Sequence, residues 1–131
     1  MIFVSAGTKD GRELAGYLLQ QGYKVTASVV SQYGENILER YSGMNINCQA
    51  LDADGFVTYF ARHGVKLFVD ASHPYAANVS INAMEACQRA KIPYIRYERQ
   101  QTPLDYAKAF YVENYQQAAA KAAELGEHIF L

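Results

Sequence analysis

The chain has 131 residues, 50% hydrophobic and 13% aromatic, with a formal net charge of -1. That length supports a hydrophobic core, and the charge balance leaves no basic field for a phosphate backbone, which excludes disordered tails and nucleic-acid binders. No apolar run approaches the roughly 20 residues of a bilayer span, and no basic-then-apolar leader opens the chain, so a cytoplasmic protein without membrane contact is expected.

Residues 2–4, Ile-Phe-Val, read as a first strand, residues 5–11 as a glycine-bearing turn, and residues 12–21 as a helix with Leu14, Ala15, Leu18 and Leu19 at helical spacing, stopped at Gly22. A second strand is expected over 24–30 and a short helix around 36–40. A weak strand follows at 46–50, and Asp52 caps a helix that runs to about His63 and ends at Gly64. Residues 67–69 form a short buried strand and 78–91 an alanine-rich helix, followed by a strand over 92–97. Residues 98–108 are polar, proline-bearing and without period, and read as a connecting loop. Residues 109–112 read as a strand, 115–125 as a helix stopped at Gly126, and 128–131 as the start of a further strand. The alternation predicts an α/β fold, a mostly parallel Rossmann-like sheet with helices on both faces. The chain reads as one amino-terminal domain, 1–131, that stops where a second α/β half would begin.

The centre of interest is Asp70-Ala71-Ser72-His73-Pro74-Tyr75-Ala76, where a buried strand meets a polar turn. In open α/β sheets ligands bind at the carboxyl ends of strands. Asp70 and Ser72 have the alternative of capping the next helix. His73, held out of the helical region by Pro74, suits donation to an anionic group or a proton relay, with a purely structural role in its own turn as the alternative. In the first turn, Gly7 and Gly11 would let backbone N–H groups approach a phosphate at a helix start, and Arg12 there suits a nearby anion. The spacing matches neither G-x-G-x-x-G nor a P-loop, so a plain tight turn is the other reading. The second strand ends in Ser28, Val29, Val30 and Ser31, with no acid until Glu35, which favours NADP over NAD if a dinucleotide binds. Ordinary strand-end serines are the alternative. Tyr-x-x-x-Lys and G-x-S-x-G are absent, as are clustered metal ligands, so no metal is expected. Cys48 and Cys87 are isolated and expected as buried thiols, His63 and His128 as surface residues, and the eleven tyrosines as core and rim packing.

Together, Gly7-Thr8-x-x-Gly11-Arg12-Glu13-Leu14-Ala15, Ser28 followed by Tyr33-Gly34, Leu51-Asp52-Ala53, the motif from Asp70 to Ala76, and Arg96-Tyr97-Glu98-Arg99 resemble the precorrin-6A reductase family of cobalamin biosynthesis. The resemblance runs along essentially the whole chain, and the motif around His73 is its specific part. It implies NADPH-dependent reduction of one macrocycle double bond in precorrin-6A or cobalt-precorrin-6A, in a protein of two Rossmann-like halves with the ligands between them. By that similarity Gly7, Thr8, Gly11, Arg12 and Ser28 would border the cofactor. Ser72, His73 and Tyr75 would line the substrate cleft, with Arg96 and Arg99 as partners for a tetrapyrrole-derived polycarboxylate and His73 as the candidate catalytic group. Ala6 departs from a glycine common in the family's first turn. The chain is about half the expected length, so a carboxyl-terminal half is expected as its missing partner, and this part alone as inactive. A non-catalytic nucleotide-binding or regulatory module is the alternative function, and another NADP-dependent enzyme of the same fold a third.

Overall fold

Five short runs become five parallel strands, and every connection between them carries a helix. The structure, a computed structural model, describes residues 1–98, 103 and 105–128. The elements are β1 (Ile2–Ser5), α1 (Lys9–Gln20), β2 (Val25–Ser28), α2 (Gln32–Leu38), β3 (Asn45–Asn47), α3 (Ala53–His63), β4 (Leu67–Asp70), α4 (Ala77–Ala90), β5 (Tyr94–Arg96) and α5 (Tyr115–Leu125). The sheet order is β3-β2-β1-β4-β5, all parallel. This is the doubly wound arrangement, with its switch point between β1 and β4.

The chain divides into two units, residues 1–99 and 100–131. The first holds the sheet, with a different core on each face. Against α1 and α2 lie small aliphatic groups: Val4, Ala6, Ala15, Val25, Ala27, Leu38 and Ala71 are buried together. Against α3 and α4 lie Phe3, Phe56, Phe60 and Phe68 with Ala83, Ala86 and Cys87. Phe3 stacks on Phe68 at 5.3 Å and meets Phe56, Tyr59 and Phe60 edge-on. Such ring pairs add to plain area burial. In the second unit α5 is capped by Asn114, whose side chain accepts from the Gln117 N–H, and it buries no residue.

Side-chain caps set most helix starts. Thr8, Ser31 and Asp52 each accept from the N–H three residues on, at Gly11, Gly34 and Gly55. Hence α1 begins at Lys9, a turn earlier than the spacing of its leucines suggests, and Gly11 belongs to the helix rather than to the loop before it. The left-handed Gly64 closes α3 (φ 64°), as expected from a glycine after a helical run.

Other expectations are corrected. Residues 109–112 enter no strand, and Phe110, Tyr111 and Val112 are exposed. β-propensity expresses fit to a pleated, half-buried surface, and among the described residues this segment joins no ladder. Residues 129–131 of the last expected strand lie outside the described residues, as do 99–102 and 104 of the expected loop. Cys87 is buried, but Cys48 is exposed just past the short β3. Most tyrosines are also exposed, among them Tyr17, Tyr33, Tyr75, Tyr111 and Tyr115.

A candidate ligand site at the switch point

Residues paired directly across a parallel ladder point to the same face of the sheet. At the carboxyl end of this sheet the pairing runs Asn47, Ser28, Ser5, Asp70, Arg96, one residue from each strand. The row lies two residues beyond Phe3 and Phe68 and so continues the face that carries α3 and α4. Each apolar strand thus ends on a polar side chain at the same level, and the row crosses the switch point.

Its β4–β5 end is saturated with partners. The Asp70 carboxylate is fully buried. Its Oδ1 accepts from the Ser72 N–H at 3.0 Å and pairs with Arg96 Nη1 at 2.8 Å, while Oδ2 accepts from Ser80 Oγ and Tyr94 OH, both at 2.6 Å. Burial alone pushes this carboxyl's pKa up. The hydrogen bonds from Ser72, Ser80 and Tyr94 outweigh it and hold the group at about 2, below its ordinary 3.8. Burial, then the bond to Asp70, pushes Tyr94 up to about 12, so it keeps its proton at neutral pH. Arg96 also donates to Ser72 Oγ (3.0 Å), to the Ser72 carbonyl (3.2 Å) and to Glu98 (2.8 Å). The motif therefore gains its shape by tying β4, α4 and β5 together. Neither Asp70 nor Ser72 caps α4, whose N-cap residue is Ala76 and which has no side-chain cap.

The β1–β2 end is open. Ser28 Oγ accepts from Asn47 Nδ2 at 3.0 Å, and the same amide nitrogen donates to the Gln49 carbonyl at 2.8 Å. Ser5 is 4% exposed, and its Oγ has no hydrogen-bond partner, the one buried side-chain polar atom among the described residues of which that is true. Here a cleft of about 290 Å³ opens, lined by the ends of β1, β2 and β4 and the first turn of α4: Ser5, Gly7, Ser28, Val29, Val30, Ser72, His73, Ala76 and Val79. Among the described residues no lysine, arginine or carboxylate lines it.

The structure brings Gly7, Ser28, Ser72 and His73 to the lining of this cleft, and Thr8, Gly11, Arg12, Tyr75 and Arg96 are not part of that lining. A Cβ on Gly7 would meet nothing within 4 Å, so its backbone faces open space. Gly11 is different: a Cβ there would lie 2.9 Å from both Cβ and O of Ala71, so glycine is needed for α1 to approach β4. Thr8 completes that clamp, its Oγ1 donating to the Ala71 carbonyl and accepting from the Gly11 N–H, both at 3.0 Å. Arg12 lies over the Tyr33 ring at 5.9 Å, with Nη1 3.4 Å from the Gly7 carbonyl. Ser31 caps α2. Tyr75 is almost fully exposed beside His73. Arg96, expected to hold a substrate carboxylate, is engaged with Asp70, Ser72 and Glu98. Arg99 lies outside the described residues. His73 Nδ1 accepts from the Tyr75 N–H at 3.2 Å, which places the hydrogen of the neutral ring on Nε2. The structural role therefore uses one ring nitrogen of His73, and the other takes no part in the turn's hydrogen bond.

Sequence reading missed Ser5, Asn47 and Val79. The available signal was that β1 and β2 both end in serine, as β4 ends in aspartate; only the register shows that these ends stand side by side. No group of three or more metal-ligating side chains occurs among the described residues, and no helix there is long and apolar enough to cross a membrane.

A family model described as precorrin-6x reductase CbiJ/CobK matches residues 1–131. Similar curated proteins include the cobalt-precorrin-6A reductase of Priestia megaterium, 40% identical over 95% of this chain and 48% of that protein. That of Methanocaldococcus jannaschii is 29% identical over 92% of this chain and 49% of that one. The chain thus spans about half the length of the curated relatives it matches. Among solved structures, a CobK precorrin-6A reductase superposes with a TM-score of 0.74 at 26% identity, covering 91% of this chain and 46% of that one. Yeast methylglyoxal/isovaleraldehyde reductase Gre2, solved in complex with NADPH, shares the fold at a TM-score of 0.51 and 22% identity, over 68% of this chain and 32% of that one.

Proposed function

The chain belongs to the precorrin-6x reductase family CbiJ/CobK, and from that premise we propose that it serves the NADPH-dependent reduction of one macrocycle double bond in precorrin-6A or its cobalt form, a step of cobalamin biosynthesis. The observation that carries the reading is the placement of the motif from Asp70 to Ala76 at the switch point, where it shares a cleft with the ends of β1 and β2. The residues present fit a dinucleotide. Gly7 offers open backbone ahead of a helix start, no acid stands at the end of β2 to repel a 2′-phosphate, and Ser5 has an unspent hydroxyl.

The cofactor supplies hydride when bound. On this reading Gly7 and Ser28 border it, while Thr8 and Gly11 fix the turn against Ala71, and Arg12 lies near enough to assist with a phosphate. Arg96 acts by holding Ser72 and the polar turn in shape, and His73 presents its Nε2 hydrogen as the candidate donor. A cleft of about 290 Å³ is at the small end of ligand sites. It therefore suits part of a nucleotide, and the macrocycle's carboxylates would be held outside it. Because the chain spans about half of each relative, the second wall around the macrocycle is assigned to the remaining half of such a protein.

The test is calorimetric titration with NADPH, with NADH as the control. Preferential binding of NADPH is expected. Absence of nicotinamide binding would remove the cofactor from the proposal, and nucleotide binding without turnover of precorrin-6A by a protein containing both halves would favour a regulatory module.

A further inference from the structure

Four residues of the polar row have their hydrogen bonds assigned, and one does not. Asn47 serves Ser28 and Gln49, and Asp70 and Arg96 serve each other and their neighbours. Ser5, between Ser28 and Asp70 in register, is 96% buried with a hydroxyl that nothing answers. An unmade hydrogen bond on a buried hydroxyl is destabilising, so such a group points to a partner from outside the fold. Its surroundings describe that partner. The cleft's apolar walls are Val29, Val30, Ala76 and Val79, Ser72 and His73 also line it, and among the described residues no lysine, arginine or carboxylate does.

Ser28 adds a directional constraint. The Gln49 carbonyl can only accept, so the Asn47 amide must turn its NH₂ that way, and the same NH₂ donates to Ser28 Oγ. The Ser28 oxygen is thereby an acceptor toward Asn47, and its hydrogen is free for the cleft. Ser5 is unconstrained and can donate or accept.

We propose that Ser5, with Ser28 beside it, forms a subsite for the uncharged polar edge of a planar heterocycle held between the valine and alanine walls. This rests on the nucleotide reading above and deepens it, since both ends of a nicotinamide dinucleotide carry such an edge, the aminopurine at one and the carboxamide at the other. Ser5 is then a ligand-contacting specificity residue. Asn47, which touches only Ser28, is a positioning residue.

The test uses Ser5→Ala and the near-isosteric Ser5→Cys, titrated with NADPH, with 2′-phospho-AMP and with nicotinamide mononucleotide, alongside thermal unfolding without ligand. The expected result couples two signs. NADPH affinity falls by about three- to tenfold, the size of one hydrogen bond, while the ligand-free Tm stays the same or rises because no internal bond is lost. Whichever fragment shares the loss identifies the ring that Ser5 contacts. A lowered ligand-free Tm would show that the hydroxyl has a partner within the protein and would overturn the proposal. Undiminished NADPH affinity in both variants would overturn the Ser5 assignment alone, leaving the cofactor reading intact, whereas failure of the unsubstituted protein to bind NADPH would remove both.

Discussion

Asp70 and Ser5 stand side by side in one row of one sheet and sit at opposite ends of the scale of polar satisfaction. Asp70 is answered by a backbone N–H, a serine, a tyrosine and an arginine, whereas Ser5 is answered by none. The difference separates two jobs. The β4–β5 end of the row is a lock joining three elements, its polar groups answered by one another. The β1–β2 end is unfinished, and the cleft opens there.

The lock is broken most directly by Asp70→Ala, which leaves Glu98 as the remaining carboxylate partner of Arg96 and removes the acceptor of Tyr94 and Ser80. Loss of one member of such a buried pair costs about 3–5 kcal/mol. Urea unfolding should report that loss, and one below about 1 kcal/mol would mean the lock does not hold the sheet edge.

Acid probes the same residue more gently. The folded pKa of Asp70 lies below the unfolded one, so its contribution is fully present above pH 3.8 and is lost as pH falls toward about 2. The contribution is about 2 kcal/mol, and Asp70→Asn should flatten that limb of the stability–pH curve. A limb of unchanged steepness would assign it to other carboxylates.

The smallest effect belongs to the open end. Asn47→Ala removes the donor that orients Ser28 and should cost about 1 kcal/mol of stability. It should also weaken NADPH binding less than Ser5→Ala does, because Ser28 keeps its own hydroxyl. A larger binding loss at Asn47 than at Ser5 would reverse the assigned roles.

Much of this was legible in the order of residues. Short β-branched and aromatic runs alternating with helical spacing state a parallel sheet covered on both faces, and Asp52 and Gly64 mark the ends of α3 by local chemistry. Errors fell where local chemistry has two readings. Gly11 looked like loop glycine, yet it is the third residue of a helix capped by Thr8 and is there to clear Ala71. Arg96 looked like a free cation for a polycarboxylate until folding placed Asp70 at 2.8 Å from it. Residues 109–112 have strand composition and, among the described residues, no ladder. The sequence pointed to the polar turn around His73 because it follows a buried strand of a parallel sheet, and the structure places Ser72 and His73 on the lining of the cleft at the switch point.

The sequence by itself determined the alternation of strands and helices over the first hundred residues, both ends of α3 and the location of the polar turn, because each is written in neighbours a few positions apart. Only the tertiary structure decided which polar groups are spent and which are free. Asp70 and Arg96 meet, and Ser5 and Ser28 align, through strand register between distant segments. Hydrogen-bond allocation is a property of that register, and it turns a carboxylate into a lock and leaves its neighbouring hydroxyl unanswered.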